Sequence, residues 1–209
     1  KRMHLEEEED IALMRSLCDR AVELAKPKAI CRECTVNSIQ GDQVILSGTT
    51  FESRVMAENL KNTQTVYAYA VTCGREVDDW SHKETDPVVG IWLDMVKEMI
   101  LGKAIEQFFT RLAHEQNIQA YATMSPGSGN LDVWPIGQQK KLFALIGEVE
   151  QNTGLRLTES CLMLPTKSVS GILYPSEEGF ITCMLCTRAH CPNRRAPYDP
   201  SKREALSEA

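Results

Sequence analysis

The sequence predicts an α/β domain of the α+β type, in which helices pack against a mixed or antiparallel sheet. Segments with helical spacing of apolar residues alternate with short runs rich in β-branched and aromatic residues. The 209-residue chain also shows no internal repeat, no low-complexity linker and no clear boundary between domains. We therefore expect one domain over residues 1–209 that ends in a cysteine-rich segment at 182–198.

Composition and charge narrow the class of protein. The chain is 43% hydrophobic and 25% charged, which is typical of a soluble globular protein. A formal net charge of −6 argues against nucleic-acid binding and against a membrane-surface protein. No apolar run approaches the length of a membrane span, and the N-terminus lacks a signal-peptide core. We expect a cytoplasmic protein, in which clustered cysteines indicate metal ligands or redox groups before disulfides.

The first third of the chain predicts one helix, two strands and a second helix. The first helix starts at the acidic residues 6–9 and stops before Pro27. Its helical spacing comes from five apolar residues, Ile11, Met14, Cys18, Ala21 and Leu24. Strands are predicted at 29–36 and 43–46, around a turn at 40–42, and residues 51–62 are predicted to be helical.

The middle of the chain predicts a β-strand at 65–72, a short helix from Arg75 and then the longest helix. That helix begins with Asp86 as its N-cap and Pro87 at its first position. Its apolar face is broad enough to predict a central helix packed against the sheet. The face comprises Val88, Ile91, Trp92, Met95, Val96, Met99, Ile105, Phe108, Phe109 and Leu112. We expect the methionine and aromatic side chains of this face to form core and not a cofactor site.

The last part of the chain predicts four strands, one helix and a polar tail. The strands are expected at 118–124, 162–164, 168–174 and 179–184, and the helix at 135–151. The tail from Asn193 onward is polar, and we expect its end to be mobile.

Three cysteines near the C-terminus are the strongest chemical signal. Cys183, Cys186 and Cys191 form a C-x2-C-x4-C-P motif. Thiolates this close in sequence are typical of an iron–sulfur cluster or a zinc site, and the proline turns the chain away after the last ligand. A zinc site that uses both His190 and Cys191 would be strained because neighbouring side chains rarely reach one metal together. The spacing suits an iron–sulfur cluster at least as well.

A closed site needs a fourth ligand from elsewhere in the fold. The candidates are the remaining cysteines Cys34, Cys161, Cys31 and Cys73, with Cys34 and Cys161 ranked first. Cys31 and Cys34 form a C-x2-C pair, but residues three apart on a strand point to opposite faces, so a shared site there would need a bulge. The thiolates would be partly neutralised by three flanking arginines, Arg188, Arg194 and Arg195.

An ordered series of motifs runs from residue 121 to residue 181. A Pro-Gly loop at Pro126-Gly127 is followed by a helix, by Thr-Gly-x-x-Leu-Thr-Glu-Ser from Thr153, and by Ser-Val-Ser-Gly from Ser168. In order and spacing this region resembles the activation domain of cobalamin-dependent methionine synthase. The resemblance implies that family's fold, an S-adenosylmethionine site and a corrinoid partner that undergoes reductive reactivation.

The loop of this region is the candidate ligand-facing or corrinoid-facing element. It consists of Ser125, Pro126, Gly127, Ser128, Gly129 and Asn130. Its glycines allow a ligand to approach closely and its polar side chains offer hydrogen bonds, although a simple tight turn is the alternative. In the family, an arginine and a tyrosine that contact the nucleoside ligand stand where Thr123 and Ser128 stand here. A threonine cannot replace a charge-assisted arginine contact, so we do not expect S-adenosylmethionine to bind in the family's manner.

Together these patterns predict an accessory protein for the reductive activation or handling of a corrinoid protein or methyltransferase. A cysteine-ligated iron–sulfur cluster in the accessory protein would accept or pass the electron. The alternative is a non-catalytic binding module whose cysteines hold a structural zinc. No nucleophile–base pair is evident, so covalent catalysis is not predicted. The sequence leaves open whether the protein is an enzyme and how it assembles.

Overall fold

The structure, a computed structural model, describes residues 7–128, 133–177, 179–191 and 194–208. Its α-helices are α1 Glu8–Leu24, α2 Arg54–Leu60, α3 Arg75–Ser81, α4 Pro87–Glu115, α5 Gln139–Ile146, α6 Val149–Thr153 and α7 Pro200–Glu208. Its strands are β1 Lys28–Gln40, β2 Gln43–Leu46, β3 Thr49–Glu52, β4 Thr65–Thr72, β5 Tyr121–Met124, β6 Arg156–Leu157, β7 Met163–Leu164 and β8 Ser168–Pro175. Two 3-10 helices span Ile136–Gln138 and Thr182–Leu185. None of the described helices has the length and apolar character needed to cross a bilayer.

Six strands form one antiparallel sheet in the order β3-β2-β1-β4-β8-β5, and β6 pairs with β7 in a separate ribbon. Strand β4 lies inside the sheet, between β1 and β8, and its β-branched and aromatic residues suit a position covered on both faces. The predicted fold class, helices packed on an antiparallel sheet, is confirmed.

Successive residues of β4 point to opposite faces of the sheet, as strand geometry requires. Val66 and Ala68 face the larger core, where α2, α5 and α6 pack. Tyr67 and Tyr69 face α4, and the ring of Tyr69 meets Phe109 edge-on with centroids 5.0 Å apart. Both faces of the sheet are therefore covered by helices.

A third core lies between α1, α3 and the N-terminal half of α4, around Met14, Val77 and Val96. Within this region the Lys97 ammonium lies 2.8 Å from a carboxylate oxygen of Asp78, and both side chains are almost completely buried. A buried charge is tolerated when it is paired in this way.

The prediction that the broad apolar face of α4 is core was wrong for four residues of its N-terminal half, whereas Val96 of the same half is buried. Val88 and Ile91 are more than half exposed, at 55% and 58%, and Met95 and Met99 are also exposed. The C-terminal half of the helix packs on the sheet, whereas the N-terminal half packs on the shorter α1 and α3. Those two helices cover only one side of α4, so its broad apolar face is only partly buried.

Further segments differ from their predicted form, among them the single helix predicted at 135–151, which is divided at Gly147 into α5 and α6. Residues 49–52 form β3, and the following helix starts only after Ser53, whose hydroxyl accepts a hydrogen bond from the Met56 amide. The predicted strand at 179–184 is replaced by the 3-10 helix Thr182–Leu185. The end of the tail forms α7, where Asp199 accepts hydrogen bonds from the amides of Ser201 and Lys202.

Candidate functional site

The Pro-Gly loop that follows β5 is a tight turn at its base. The Gly127 amide donates to the Trp134 carbonyl at 2.8 Å, and the Ser128 amide donates to the Ser125 carbonyl at 3.2 Å. Gly127 has a φ of +73°, and a Cβ there would lie 2.8 Å from the Ile136 side chain. Glycine is therefore required at this position for both conformation and space.

Part of the predicted loop cannot be placed. Pro126 lies in the described turn, but Gly129 and Asn130 lie outside the described residues. The ligand-facing role assigned to this loop therefore stays a prediction.

Ser125 faces inward, toward Tyr69 and Gly171. A Cβ on Gly171 would lie 2.2 Å from the Met124 carbonyl oxygen and 2.8 Å from the Ser125 hydroxyl, so only glycine lets β8 pass this close to the end of β5. Burial raises the pKa of Tyr69 to about 12, while a hydrogen bond with Ser125 and the charge of Arg195 oppose that rise. The Ser125 hydroxyl is thus engaged within the protein.

The cysteine segment, residues 179–191 and 194–196, lies along the edge of the sheet beside β5. Thr123 of β5 forms a parallel β-bridge with Ile181. Leu185, in the 3-10 helix that follows, is only 2% exposed and belongs to the larger core together with Phe180. The segment is therefore anchored on the domain, on the same side as the Pro-Gly loop.

Arg194 forms hydrogen bonds with several residues of the cysteine segment. Its guanidinium donates hydrogen bonds at 3.1 Å to the carbonyl oxygens of Cys183 and Cys186, and its backbone amide donates to the Cys191 carbonyl at 3.2 Å. The guanidinium also donates to the carbonyls of Ala196 and Arg188. One residue thus contacts the backbone of all three cysteines of the motif.

Arg195 links the cysteine segment to the loop. Its amide lies 3.5 Å from the Cys183 sulfur, within hydrogen-bonding range for a thiol acceptor. The charge of its guanidinium opposes the rise in the pKa of Tyr69 that burial causes, and Tyr69 is hydrogen-bonded to Ser125. The structure therefore brings together two motifs that are about 60 residues apart in sequence, the Pro-Gly loop and the cysteine motif.

The thiols of Cys183, Cys186 and Cys191 are free and half-buried. Within the described ranges, which omit residues 192 and 193, no three His, Cys, Asp or Glu side chains are grouped so as to hold one metal ion. Their role as ligands therefore stays a prediction, and cluster binding would require the side chains of this segment to close around the metal.

The two preferred fourth ligands lie in different parts of the domain. Cys34 is 1% exposed in the larger core, and burial raises the pKa of its thiol, which disfavours the thiolate that a metal requires. Cys161 lies between β6 and β7 with a φ of +66°. Cys31 packs on the opposite side of the sheet from Cys34, so the predicted divergence of this pair is confirmed. The identity of a fourth ligand stays a prediction.

Sequence reasoning missed Tyr69, the close approach that requires Gly171, and the carbonyl-binding role of Arg194. Tyr69 and Gly171 are opposite each other in the pairing of β4 with β8, which sequence alone does not specify. Arg194 was predicted only as a charge near the thiolates, and its contacts with the backbone depend on the tertiary arrangement of the cysteine segment.

Comparison with known proteins shows which domains this chain is similar to. Residues 102–181 match the family described as vitamin B12 dependent methionine synthase, activation domain. The fold is similar to a solved structure titled "Crystal Structure of the MetH Reactivation Domain bound to AdoHcy", with a TM-score of 0.62 and 17% sequence identity over 85% of this chain and 70% of that chain. No curated protein sequence matches the chain. The predicted resemblance to the methionine synthase activation domain is confirmed, and the cysteine motif begins two residues beyond the matched region.

Proposed function

We propose that this protein is an accessory factor for the reductive activation or handling of a corrinoid protein, and that Cys183, Cys186 and Cys191 hold an iron–sulfur cluster. The observation that carries the proposal is the position of the cysteine segment. The bridge between Ile181 and Thr123 joins this segment to β5, the strand that leads into the Pro-Gly loop, and this proximity supports the proposal.

When bound, the cluster would supply one electron that converts cobalt(II) to cobalt(I), and an external one-electron donor protein would then reduce the cluster again. The chain's own residues support this use of the site. The three thiols are half-buried and accessible from the surface, and Leu185 anchors their segment to the core. The Arg194 guanidinium donates to the Cys186 carbonyl and the Arg195 amide lies 3.5 Å from the Cys183 sulfur, so both residues are close enough to stabilise a negatively charged cluster held by these cysteines.

The residues around the loop do not fit S-adenosylmethionine bound in the family's manner. Thr123 carries no charge with which to bind a carboxylate, and the Ser125 hydroxyl interacts with Tyr69. We expect no measurable heat when S-adenosylhomocysteine is titrated into the protein by calorimetry. Saturable binding at micromolar concentration would show that other residues recognise the nucleoside.

The proposal is tested by purifying the protein without oxygen and assaying iron and acid-labile sulfide. We expect both in stoichiometric amounts, together with visible absorption that bleaches on reduction. Cys186→Ser should lower the iron content, whereas Cys18→Ser, which changes a cysteine of α1, should not. The reduced protein should then convert cobalt(II) to cobalt(I) in a corrinoid protein, followed by absorbance. A colourless protein with stoichiometric zinc would remove the electron-transfer role.

Structural zinc is the alternative. It is supported by the burial of Leu185, because a segment that contributes to the core is one that a structural metal would stabilise. Cys186→Ser separates the two functions. Loss of folding together with release of zinc supports the structural site, whereas a folded protein that no longer transfers electrons supports the redox centre.

A further inference from the structure

Arg194 makes an unusual set of contacts for a residue in an irregular segment. Its side chain donates to the carbonyls of Cys183, Cys186, Arg188 and Ala196, and its amide donates to the Cys191 carbonyl. These contacts join the start, the middle and the end of the cysteine segment through a single residue.

The segment has few backbone hydrogen bonds of its own. Its 3-10 helix contributes short-range bonds, from the Met184 amide to the Ile181 carbonyl and from the Cys186 amide to the Cys183 carbonyl. Carbonyls in irregular chain need other donors once they leave water. A guanidinium suits this task because it presents five N–H donors in one rigid plane, whereas a lysine ammonium offers three donors from a single point.

The hydrogen bonds of the Arg194 side chain go to neutral groups. In the part of the chain that the structure describes, no carboxylate forms an ion pair with this guanidinium, and its contacts are with neutral carbonyl groups. The positive charge of Arg194 is therefore not offset within the described part of the segment.

We propose that Arg194 is the positioning residue of the cysteine segment, and that it holds the backbone of Cys183, Cys186 and Cys191 in one folded loop before a metal or cluster is bound. This inference rests on the proposed metal-binding role of these cysteines. A loop that is already folded loses less conformational entropy when its thiols close around a metal, so Arg194 increases metal affinity without being a ligand.

The test compares Arg194→Ala with Arg188→Ala in the otherwise intact, metal-free protein. Arg188 is a matched control because it lies in the same segment, carries the same charge and has an exposed side chain. Hydrogen exchange measures the order of residues 183–196 without metal. Titration with Cd²⁺, followed by the thiolate-to-metal absorption in the ultraviolet, measures the affinity of the cysteines.

We expect Arg194→Ala to abolish the protection of the Cys186 and Asp199 amides and to lower Cd²⁺ affinity about tenfold or more, as outer-shell changes do at metal sites. Arg188→Ala should preserve the amide protection and should lower Cd²⁺ affinity less than Arg194→Ala does, because it removes the same charge but no side-chain contact with the backbone of the segment. Arg194→Lys keeps the charge but not the planar donors, so it should recover only part of the affinity. Partial recovery would show that the loss in Arg194→Ala is not a general loss of folding.

The possible failures are distinguishable. If Arg194→Ala and Arg188→Ala show the same exchange and the same Cd²⁺ affinity as the parent protein, Arg194 has no positioning role. If the parent protein itself binds no Cd²⁺, the proposed metal site fails, and hydrogen exchange still decides whether Arg194 orders the segment.

Discussion

Thr123 in β5 and Ile181 form a parallel β-bridge, although every pairing within the main sheet is antiparallel. Strand β5 is at the edge of the sheet, and edge strands offer unpaired backbone groups to another chain segment. The cysteine segment uses that edge. This contact brings the C-terminal motif next to the Pro-Gly loop and makes the segment part of the domain.

Leu185→Ala should destabilise the protein by about 2–4 kcal/mol because Leu185 is 2% exposed and packs in the larger core. Leu162→Ala is the matched control, since Leu162 is 51% exposed, and it should change stability by less than about 0.5 kcal/mol. Urea unfolding of both variants measures the difference. Equal stabilities would mean that the cysteine segment is not packed on the domain in solution.

Gly171→Ala should destabilise the protein by about 3 kcal/mol or more, because the added Cβ would lie 2.2 Å from the Met124 carbonyl oxygen. Gly102→Ala makes the same chemical change in α4, where nothing lies within 4 Å of the new Cβ. That change should stabilise the protein by about 0.5–1 kcal/mol through helix propensity. Thermal unfolding distinguishes the two, and a neutral Gly171→Ala would contradict the close approach of β5 and β8.

Asp78→Ala should cost about 3 kcal/mol because it leaves the Lys97 ammonium buried without its nearest partner, 2.8 Å away. Replacing Lys97 by Met in the same protein should restore most of that loss. Lys103→Ala, which breaks an exposed pair with Glu106, should change stability by less than about 0.5 kcal/mol. A double-mutant cycle in urea gives the coupling energy, and a value near zero would refute a buried pair.

The raised pKa of Cys73 predicts that the protein loses stability at alkaline pH. Burial raises the pKa of its thiol from 9.0 to about 11, with the charge of Asp78 adding to the rise and Lys97 opposing it. The folded state therefore keeps the proton more tightly than the unfolded state. This contribution to stability is complete below pH 9 and is lost as the pH rises toward 11.

The expected loss between pH 8 and pH 10 is about 1 kcal/mol. Cys73→Ala should lack it, so the stability difference between the parent protein and this variant should shrink over that interval. Urea unfolding at the two pH values measures the change. A difference that stays constant would show that Cys73 ionises normally in the folded protein.

Local patterns predicted the elements that depend mainly on their own residues. The strand at 65–72 has the predicted bounds because its alternating β-branched and aromatic residues suit both covered faces of a sheet. The N-cap of α4 was also predicted correctly, since the Asp86 carboxylate accepts hydrogen bonds from the Val88 and Val89 amides. Such signals act over a few residues and can be read from the chain.

Contacts between distant segments could not be predicted in this way. The apolar spacing of α4 does not reveal that Ile91 faces solvent, because that depends on how far α1 and α3 extend beside it. Nor does the run of cysteines reveal that Arg194 would contact all three of their backbones. Both features depend on which elements meet in space.

The sequence by itself determined the fold class, the resemblance to a methionine synthase activation domain, and the presence of three closely spaced thiols. Only the tertiary structure decided that the segment carrying these thiols pairs with β5 just before the Pro-Gly loop, that Cys34 is enclosed in the core, and that Arg194 contacts the backbone of all three cysteines. The physical reason is that side-chain pattern and hydrogen-bonding propensity act locally along the chain. The meeting of β5 with residue 181, in contrast, depends on the free edge left by the assembled sheet.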